Sequence, residues 1–473
     1  MIDRWPPLAW AALAAVLAVV LRLPYLTVPL TADEGGYAEV ARLWARGAAL
    51  YDRVDGIWVD RPQGLLWIFR ALEHVDGGST AALRIAAALV AAAVVCVTFL
   101  ITERTAGRIP AVLAALLLAI FGSAPRIEAF TLSGEVLASL PSALALLAFV
   151  AYLRRGGARW LVACGLLTGA AVMIKQSGFD GGLAAVAYLL WTRRRGGLLP
   201  AATIVGCAFL PVIAGALSAA SFDDWWYAMV TYRSQGDSLF SGSPVTRADL
   251  FKDSLPAVVM SIGVLVALAA IGWRRGPLLL RLWVAAAALA VLGGGNFHPH
   301  YYQQLCAPLA ALGGVGAARL LTERHRWSLA LTGVLAALAV ASVAGLWVES
   351  RYERIRSLFP EDPHLLHSEH VVGWLGDNTD RGDKVFVLWA GADINYLADR
   401  PPAVPYLWYR NIQAIPGALD RVRDSMASPD GPRYIVGLHK PHKLDKSGKT
   451  YQLLRNNFHR VGKVDGIVIY ERN

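Results

Sequence analysis

Five short stretches carry the residue types that proton transfer and phosphate binding need. Residues 31–46, "TADEGGYAEVARLWAR", set two carboxylates, Asp33 and Glu34, just after an apolar run. "IWVDRPQGLLWIF" places Asp60 and Arg61 before Pro62, and "SAPRIEAFTLSGEVLASLP" brings Arg126, Glu128 and Glu135. "VMIKQSGFDGG" holds Lys175, and "GGGNFHPHYYQQLCAPLAAL" bunches His298, His300, Tyr301 and Tyr302. A positioned carboxylate can take a proton from a hydroxyl. An Arg fork, a Lys ammonium and His or Tyr hydrogen-bonding groups can hold a phosphate and offset charge developing on it.

Each stretch also has a plainer reading. Thr31-x-x-Glu34 has the form of a capping box, which gives Glu34 a structural task at a helix start. Tyr37, Val40, Ala41 and Trp44 follow at helical spacing. That predicts an amphipathic helix over 32–46, lying on a membrane surface with its apolar face down. The box does not need Asp33. Either the helix macrodipole holds it in the first turn, or it projects from the tip as a base. Acidic pairs at helix starts are common, so the pair alone is not specific. Arg61, extended before Pro62, is either a headgroup anchor or a phosphate fork. Glu128 either pairs with Arg126 or serves a site. Glu135 opens a span with no basic residue close by, where an ionisable group is costly. Lys175 is either a snorkelling lysine or a phosphate ligand. Two histidines at i, i+2 without a third ligand nearby do not make a zinc site. With the tyrosines they form either an interfacial belt or hydrogen bonds to a phosphate. In loop 221–254, Asp223, Asp224, Arg233 and Asp237 accompany Trp225 and Trp226 on a second surface helix, where the aromatics either cover a lipid chain or a sugar ring or, as the plainer and favoured reading, serve as interfacial anchors.

These stretches must be positioned by something long and apolar. The 473 residues are 56% hydrophobic and only 17% charged, with a mean hydropathy of +0.44. A soluble domain carries roughly 25% charge, so this composition is that of a multi-span membrane protein. The net charge of +10 sits in short clusters between apolar runs, without the interleaved aromatics of a nucleic-acid groove, so no nucleic-acid partner is expected. The four cysteines, Cys96, Cys164, Cys207 and Cys306, fall inside apolar runs with no CxxC. They read as small hydrophobes, not as a disulfide or metal framework.

Eleven segments are long enough to span, near 7–24, 80–102, 107–123, 132–153, 159–175, 179–192, 197–220, 255–273, 277–294, 302–320 and 327–348. The first is read as an uncleaved span, and the sixth is short. Every even-numbered segment exits into basic residues: Arg104 and Arg108; Arg154, Arg155 and Arg159; Arg193, Arg194 and Arg195; Arg274 and Arg275; Arg324 and Arg326. The positive-inside rule puts those exits and the N-terminus in the cytoplasm. Loops 25–79, 221–254 and 295–301 then face outward, and so does the polar C-terminal segment. That segment, 351–473, has β-rich runs "KVFVLWA", "RYIVGLH" and "DGIVIYE" and reads as a small extracytoplasmic α/β domain. Residues 1–350 form the membrane domain. Ala-, Arg- and Gly-rich usage suits a GC-rich bacterial genome, hence a bacterial plasma membrane.

The motifs taken together resemble the GT-C glycosyltransferases, in particular the protein O-mannosyltransferase and lipid A aminoarabinose transferase group. "DEGGY" and "DRPQGLL" resemble its first outer loop, "TLSGEVLASL" the acidic start of its fourth span, and "IKQSG" its lysine loop. "HPHYYQQLCAPLAAL" resembles its H-Y-Y-x-Q-x-x-x-P-L signature and is the most specific of these likenesses. Gln63 stands where that group often has a second proline, and Glu135 where it usually has Asp. The resemblance covers about residues 1–350. It implies a multi-span α-helical GT-C fold that transfers a sugar from a polyprenyl-phosphate donor to a lipid, glycan or protein acceptor on the outer face, with inversion. Asp33 would be the base and Glu135 would orient the acceptor or support the base. Arg61, Lys175, His300 and Tyr301 would bind phosphate. Glu34, Tyr37, Asp60, Arg126, Glu128, His298 and Tyr302 complete the candidate binding set. With no Gly-rich phosphate loop and no D-x-D motif, neither a nucleotide, a metal nor another cofactor is expected. The competing expectation is a lipid or glycan transporter, whose charged groups would line a path through the membrane.

Overall fold

The computed structural model describes residues 6–234, 246–323, 326–359, 365–389 and 391–473. Arg324 and Asp237 lie outside these. Each of the predicted apolar segments coincides with a helix: Pro7–Val20, Thr80–Ala106, Arg108–Phe121, Gly134–Arg155, Ala158–Ile174, Asp180–Arg193, Leu198–Leu217, Arg247–Trp273, Leu278–Gly294, Gln303–Thr322 and Arg326–Val348. Seven helical stretches of the described residues are long and apolar enough to cross a membrane, Asp180–Leu217 counting as one. Arg108–Phe121, Ala158–Ile174 and Leu278–Gly294 are apolar but shorter. These helices are apolar on every side, so one face packs inward while the other remains bare. Phe149 and Leu312 are fully buried, whereas Leu199, Leu217 and Trp327 point outward.

The first loop folds as the capping box dictates. Thr31 Oγ1 accepts the Glu34 N–H at 3.2 Å, and Glu34 Oε2 accepts the Thr31 N–H at 3.2 Å, opening the helix Ala32–Ala45. The expected seat of that helix is corrected. It does not lie with one face on lipid, because residues 34–42 are all buried. The C-terminal domain covers its upper side: Gly35 abuts Asp393 and Gly36 abuts Trp408. Arg42 extends from the same helix to the Tyr396 carbonyl at 2.9 Å. Loop 221–254 begins with a helical run, Phe222–Trp226 followed by Tyr227–Thr231 and Tyr232–Ser234. Trp225 is not an interfacial anchor. It is buried, and its Nε1 donates to Gln63 Oε1 at 3.1 Å. Gln63 Nε2 in turn donates to the Gly215 carbonyl at 2.8 Å, a tie that a proline at this position could not make.

The C-terminal residues build a four-stranded sheet in the order β1 (Val385–Val387), β2 (Tyr434–Gly437), β4 (Ile467–Arg472), β3 (Phe458–Val464). β1 and β2 are parallel and the other pairs antiparallel. β3 is an edge strand without a matching apolar run: Phe458 is buried, but His459, Arg460 and Val461 face out. The C-terminal residues share a core with loop 25–79, running from Leu30, Tyr37 and Trp58 into Trp389, Tyr406 and Met426. Trp58 N–H donates to the Pro405 carbonyl at 3.1 Å, and the Tyr406 hydroxyl to the Arg53 carbonyl at 2.7 Å.

Candidate active site

Helix ends build the site. Asp33 lies in the first turn of Ala32–Ala45, and Arg61 precedes Pro62, the N-cap of Gln63–Asp76. Ser133 caps Gly134–Arg155 by accepting the Val136 N–H at 3.3 Å, which puts Glu135 at a helix N-terminus, where a carboxylate is favoured. Lys175 is the extended C-cap of Ala158–Ile174, the end that favours a cation. His300 sits in the 3-10 turn Pro299–Tyr302 that leads into Gln303–Thr322. The loop carrying Glu128 is pinned from two sides. Arg22 Nε donates to the Ala129 carbonyl at 3.1 Å, and Gln303 Nε2 to the Ile127 carbonyl at 2.6 Å. Glu128 itself takes a left-handed backbone, φ +54°, strain of about 1–3 kcal/mol of the kind that clusters at functional sites.

These ends converge on one cavity of about 400 Å³, lined by Asp33, Glu34, Tyr37, Arg61, Glu128, Glu135, Lys175 and His300 together with Thr131 and Ser133. Glu135 contacts Lys175 as an ion pair. His300 lies between Glu128 and that same Glu135, with Nδ1 3.3 Å from Glu128 Oε2 and Nε2 3.8 Å from Glu135 Oε1. Lys175 Nζ lies 3.9 Å above the Tyr301 ring, a cation–π contact. Arg61 Nε donates to the Tyr37 hydroxyl at 3.0 Å, and that hydroxyl lies 3.3 Å from Asp33 Oδ2. Asp33 Oδ1 accepts from Trp408 Nε1 at 2.8 Å. Asp60 stands behind Arg61, pairing with its Nη1 at 2.7 Å and with Arg233 Nη2 at 2.9 Å. Burial works to raise the Asp60 carboxyl, but Arg233 and Arg61 outweigh it and hold the group below the usual carboxylate range. Burial pushes the Tyr37 phenol well above its usual range, so it remains a hydroxyl donor at neutral pH.

Not every candidate reaches the cavity. Glu34 touches it but is spent on structure: buried, it caps its own helix, pairs with Arg84 and accepts the Leu132 N–H at 2.8 Å. Arg126 is exposed and outside the lining, because the turn at Ile127 sends it away from Glu128. Tyr302 points into the helical core, its hydroxyl 2.7 Å from Ser254 Oγ. His298 is exposed, its ring stacked on that of His300 at 5.6 Å, outside the lining. Two participants escaped the sequence reading. Arg233 was one charge among several in its loop. Trp408 lies 375 residues from its partner in "PYLWYRN", which carries no local signal. A second cavity, about 440 Å³, meets Glu135 from the membrane side between Val94, Leu118, Val136 and Cys306. Among the described residues the one group spaced for a metal is remote from both: His367, His370 and Asp465, where both imidazoles already contact the Asp465 carboxylate.

The fold has counterparts. The family described as Dolichyl-phosphate-mannose-protein mannosyltransferase matches residues 60–218. No curated protein matches the sequence. The structure of ArnT from Cupriavidus metallidurans bound to undecaprenyl phosphate superposes with a TM-score of 0.66 at 15% identity, covering 98% of this chain and 97% of ArnT. The fold is that of the GT-C glycosyltransferases. The GT-C architecture extends to AglB from Archaeoglobus fulgidus, an oligosaccharyltransferase, with a TM-score of 0.61 at 14% identity over 100% of this chain and 74% of AglB. It extends also to the mycobacterial arabinofuranosyltransferase AftD, with a TM-score of 0.55 at 16% identity over 98% of this chain and 40% of AftD. With its apolar helices, the chain is a multi-pass membrane protein of GT-C fold.

Proposed function

We propose that this protein transfers a sugar from a polyprenyl-phosphate donor to an acceptor hydroxyl, with inversion, at the extracytoplasmic face of a bacterial plasma membrane. The observation that carries the reading is the convergence of Asp33, Arg61, Glu135, Lys175 and His300, from five separate helix ends, on one cavity. The fold relative bound to undecaprenyl phosphate supports the donor class. Eleven crossings would put the N-terminus in the cytoplasm and the C-terminal domain outside, as the basic exits require.

The chemistry follows from the contacts. Asp33 takes the proton of the acceptor hydroxyl, and that oxygen bonds to the anomeric carbon of the donor. The bond from that carbon to the phosphate oxygen breaks, and the phosphate leaves with both electrons. Arg61, Lys175 and His300, with Tyr301 beside them, offset the charge that grows on the departing phosphate. Asp60 keeps Arg61 aimed through their 2.7 Å pair. Glu135 holds Lys175 and His300 in place, and the membrane-side cavity next to it suits the first units of an isoprenoid. No nucleotide or metal has a part in this scheme.

A transporter would carry ionisable groups along a path to the opposite face. Arg22, Arg84 and Asp180, three buried charges within or beside the helices, are instead closed off against fixed partners. The test is turnover of a labelled polyprenyl-phosphate sugar panel by the purified protein, with lipid, glycan and peptide acceptors. Transfer of at least one sugar is expected. A folded protein that turns over no donor, yet moves such lipids across proteoliposomes, would refute the transferase reading.

A further inference from the structure

We propose that Trp408, supplied by the C-terminal domain, is a positioning residue for the Asp33 carboxylate, so that the site is complete only with that domain seated. The inference rests on the reading of Asp33 as the base and goes beyond it by assigning part of the site to residues 351–473.

Three observations carry it. The first is the bond itself. Trp408 Nε1 donates to Asp33 Oδ1 at 2.8 Å, while the Tyr37 hydroxyl lies at a longer 3.3 Å from Oδ2. Indole N–H is a donor only and does not titrate. It can hold one carboxylate oxygen without delivering or consuming a proton, and the lone pairs that remain stay free for a substrate hydroxyl. The second is the fit. A Cβ on Gly36 would lie 2.3 Å from Trp408 Cζ2, and one on Gly35 2.3 Å from Asp393 Cα. Glycine inside a helix costs about 1 kcal/mol against alanine, so two in succession beside Asp33 need a reason. The close approach of the C-terminal domain supplies it. The third is how the tryptophan is held. It is the N-cap of the short helix Tyr409–Ala414. On one side of it, Trp58 binds the Pro405 carbonyl and Tyr406 binds the Arg53 carbonyl. On the other, the Tyr232 hydroxyl donates to Asn411 Oδ1 at 3.0 Å. Both outer loops of the membrane domain therefore grip the segment on either side of Trp408, and its ring rests 5.6 Å from that of Tyr37.

The test compares Trp408→Phe, which keeps a ring over Gly36 and deletes the N–H, with Asp33→Asn and wild type, at saturating donor. The expected result for Trp408→Phe is a kcat lower by about tenfold or more, the size of one hydrogen bond to a charged group. Donor KM should stay within about twofold, and thermal unfolding should not change. Gly36→Ala, which forces the ring aside, should give the same split between kcat and KM. Wild-type kcat in Trp408→Phe, alongside an inactive Asp33→Asn, would overturn the role of Trp408 and leave the base assigned. A folded, donor-binding Gly36→Ala with wild-type kcat would overturn it equally. Full activity in Asp33→Asn would overturn the base itself, and this inference with it.

Discussion

The cavity mouth and the bundle interior both hold ionisable groups next to apolar helices, and they treat them in opposite ways. Buried Asp180 and Glu34 have both carboxylate oxygens engaged. Asp180 accepts Trp283 Nε1 on one oxygen and Gln304 Nε2 on the other, each at 2.8 Å. Glu34 is shared by Arg84, the Leu132 N–H and its own cap. At the mouth the charges are held but not used up. Asp33 meets two neutral donors, and Arg61, Lys175 and His300 keep part of their surface on the cavity. Burial alone does not mark a functional charge near a membrane. What marks it is bonding capacity left over and aimed at a space.

Substitutions at four positions would break or sharpen that contrast. The largest effect on stability is expected for Glu34→Ala. It strands Arg84, which is 2% exposed, and breaking a buried pair from one side costs about 3–5 kcal/mol. Thermal unfolding in detergent checks it, and an unchanged midpoint would show that Glu34 belongs with the mouth. Arg61→Ala should leave the fold intact and lower transfer on the order of 10²–10³-fold, as removal of a charge-stabilising donor does. Arg61→Lys should recover only part of this, because an ammonium lacks the fork. Asp180→Ala should cost about 1–3 kcal/mol of stability by leaving buried Trp283 Nε1 without an acceptor and Gln304 with only the Ser177 carbonyl, with turnover per folded molecule unchanged. Arg126→Ala should change donor KM by less than about twofold, since an exposed charge outside the cavity contributes little.

Much of this was legible in the chain. All eleven apolar segments are helices because a run of some 20 apolar residues leaves the backbone few alternatives. The capping box is local, and it formed as spaced. The motif order also brought Asp33, Arg61, Glu135, Lys175 and His300 to one cavity. What escaped depends on distant partners. Trp225 reads as an anchor until Gln63 is seen to accept its N–H. Arg126 and Tyr302 sit in the right motifs, but a 3-10 turn and a core hydroxyl turn them away. The strand Phe458–Val464 is polar because its edge faces out. The pair of glycines in "DEGGY" reads as a weak helix, and only the domain packed over them explains it.

In the proposed reaction Asp33 removes the acceptor proton while its neighbour Glu34 only holds the fold. The most direct measurement is sugar transfer by purified Asp33→Asn, with donor affinity and thermal unfolding taken on the same preparation. The account predicts a loss of about 10²–10⁴-fold in kcat, the usual worth of a positioned base, with donor affinity and stability retained. Transfer at the wild-type rate would contradict it and move the base to another carboxylate of the cavity.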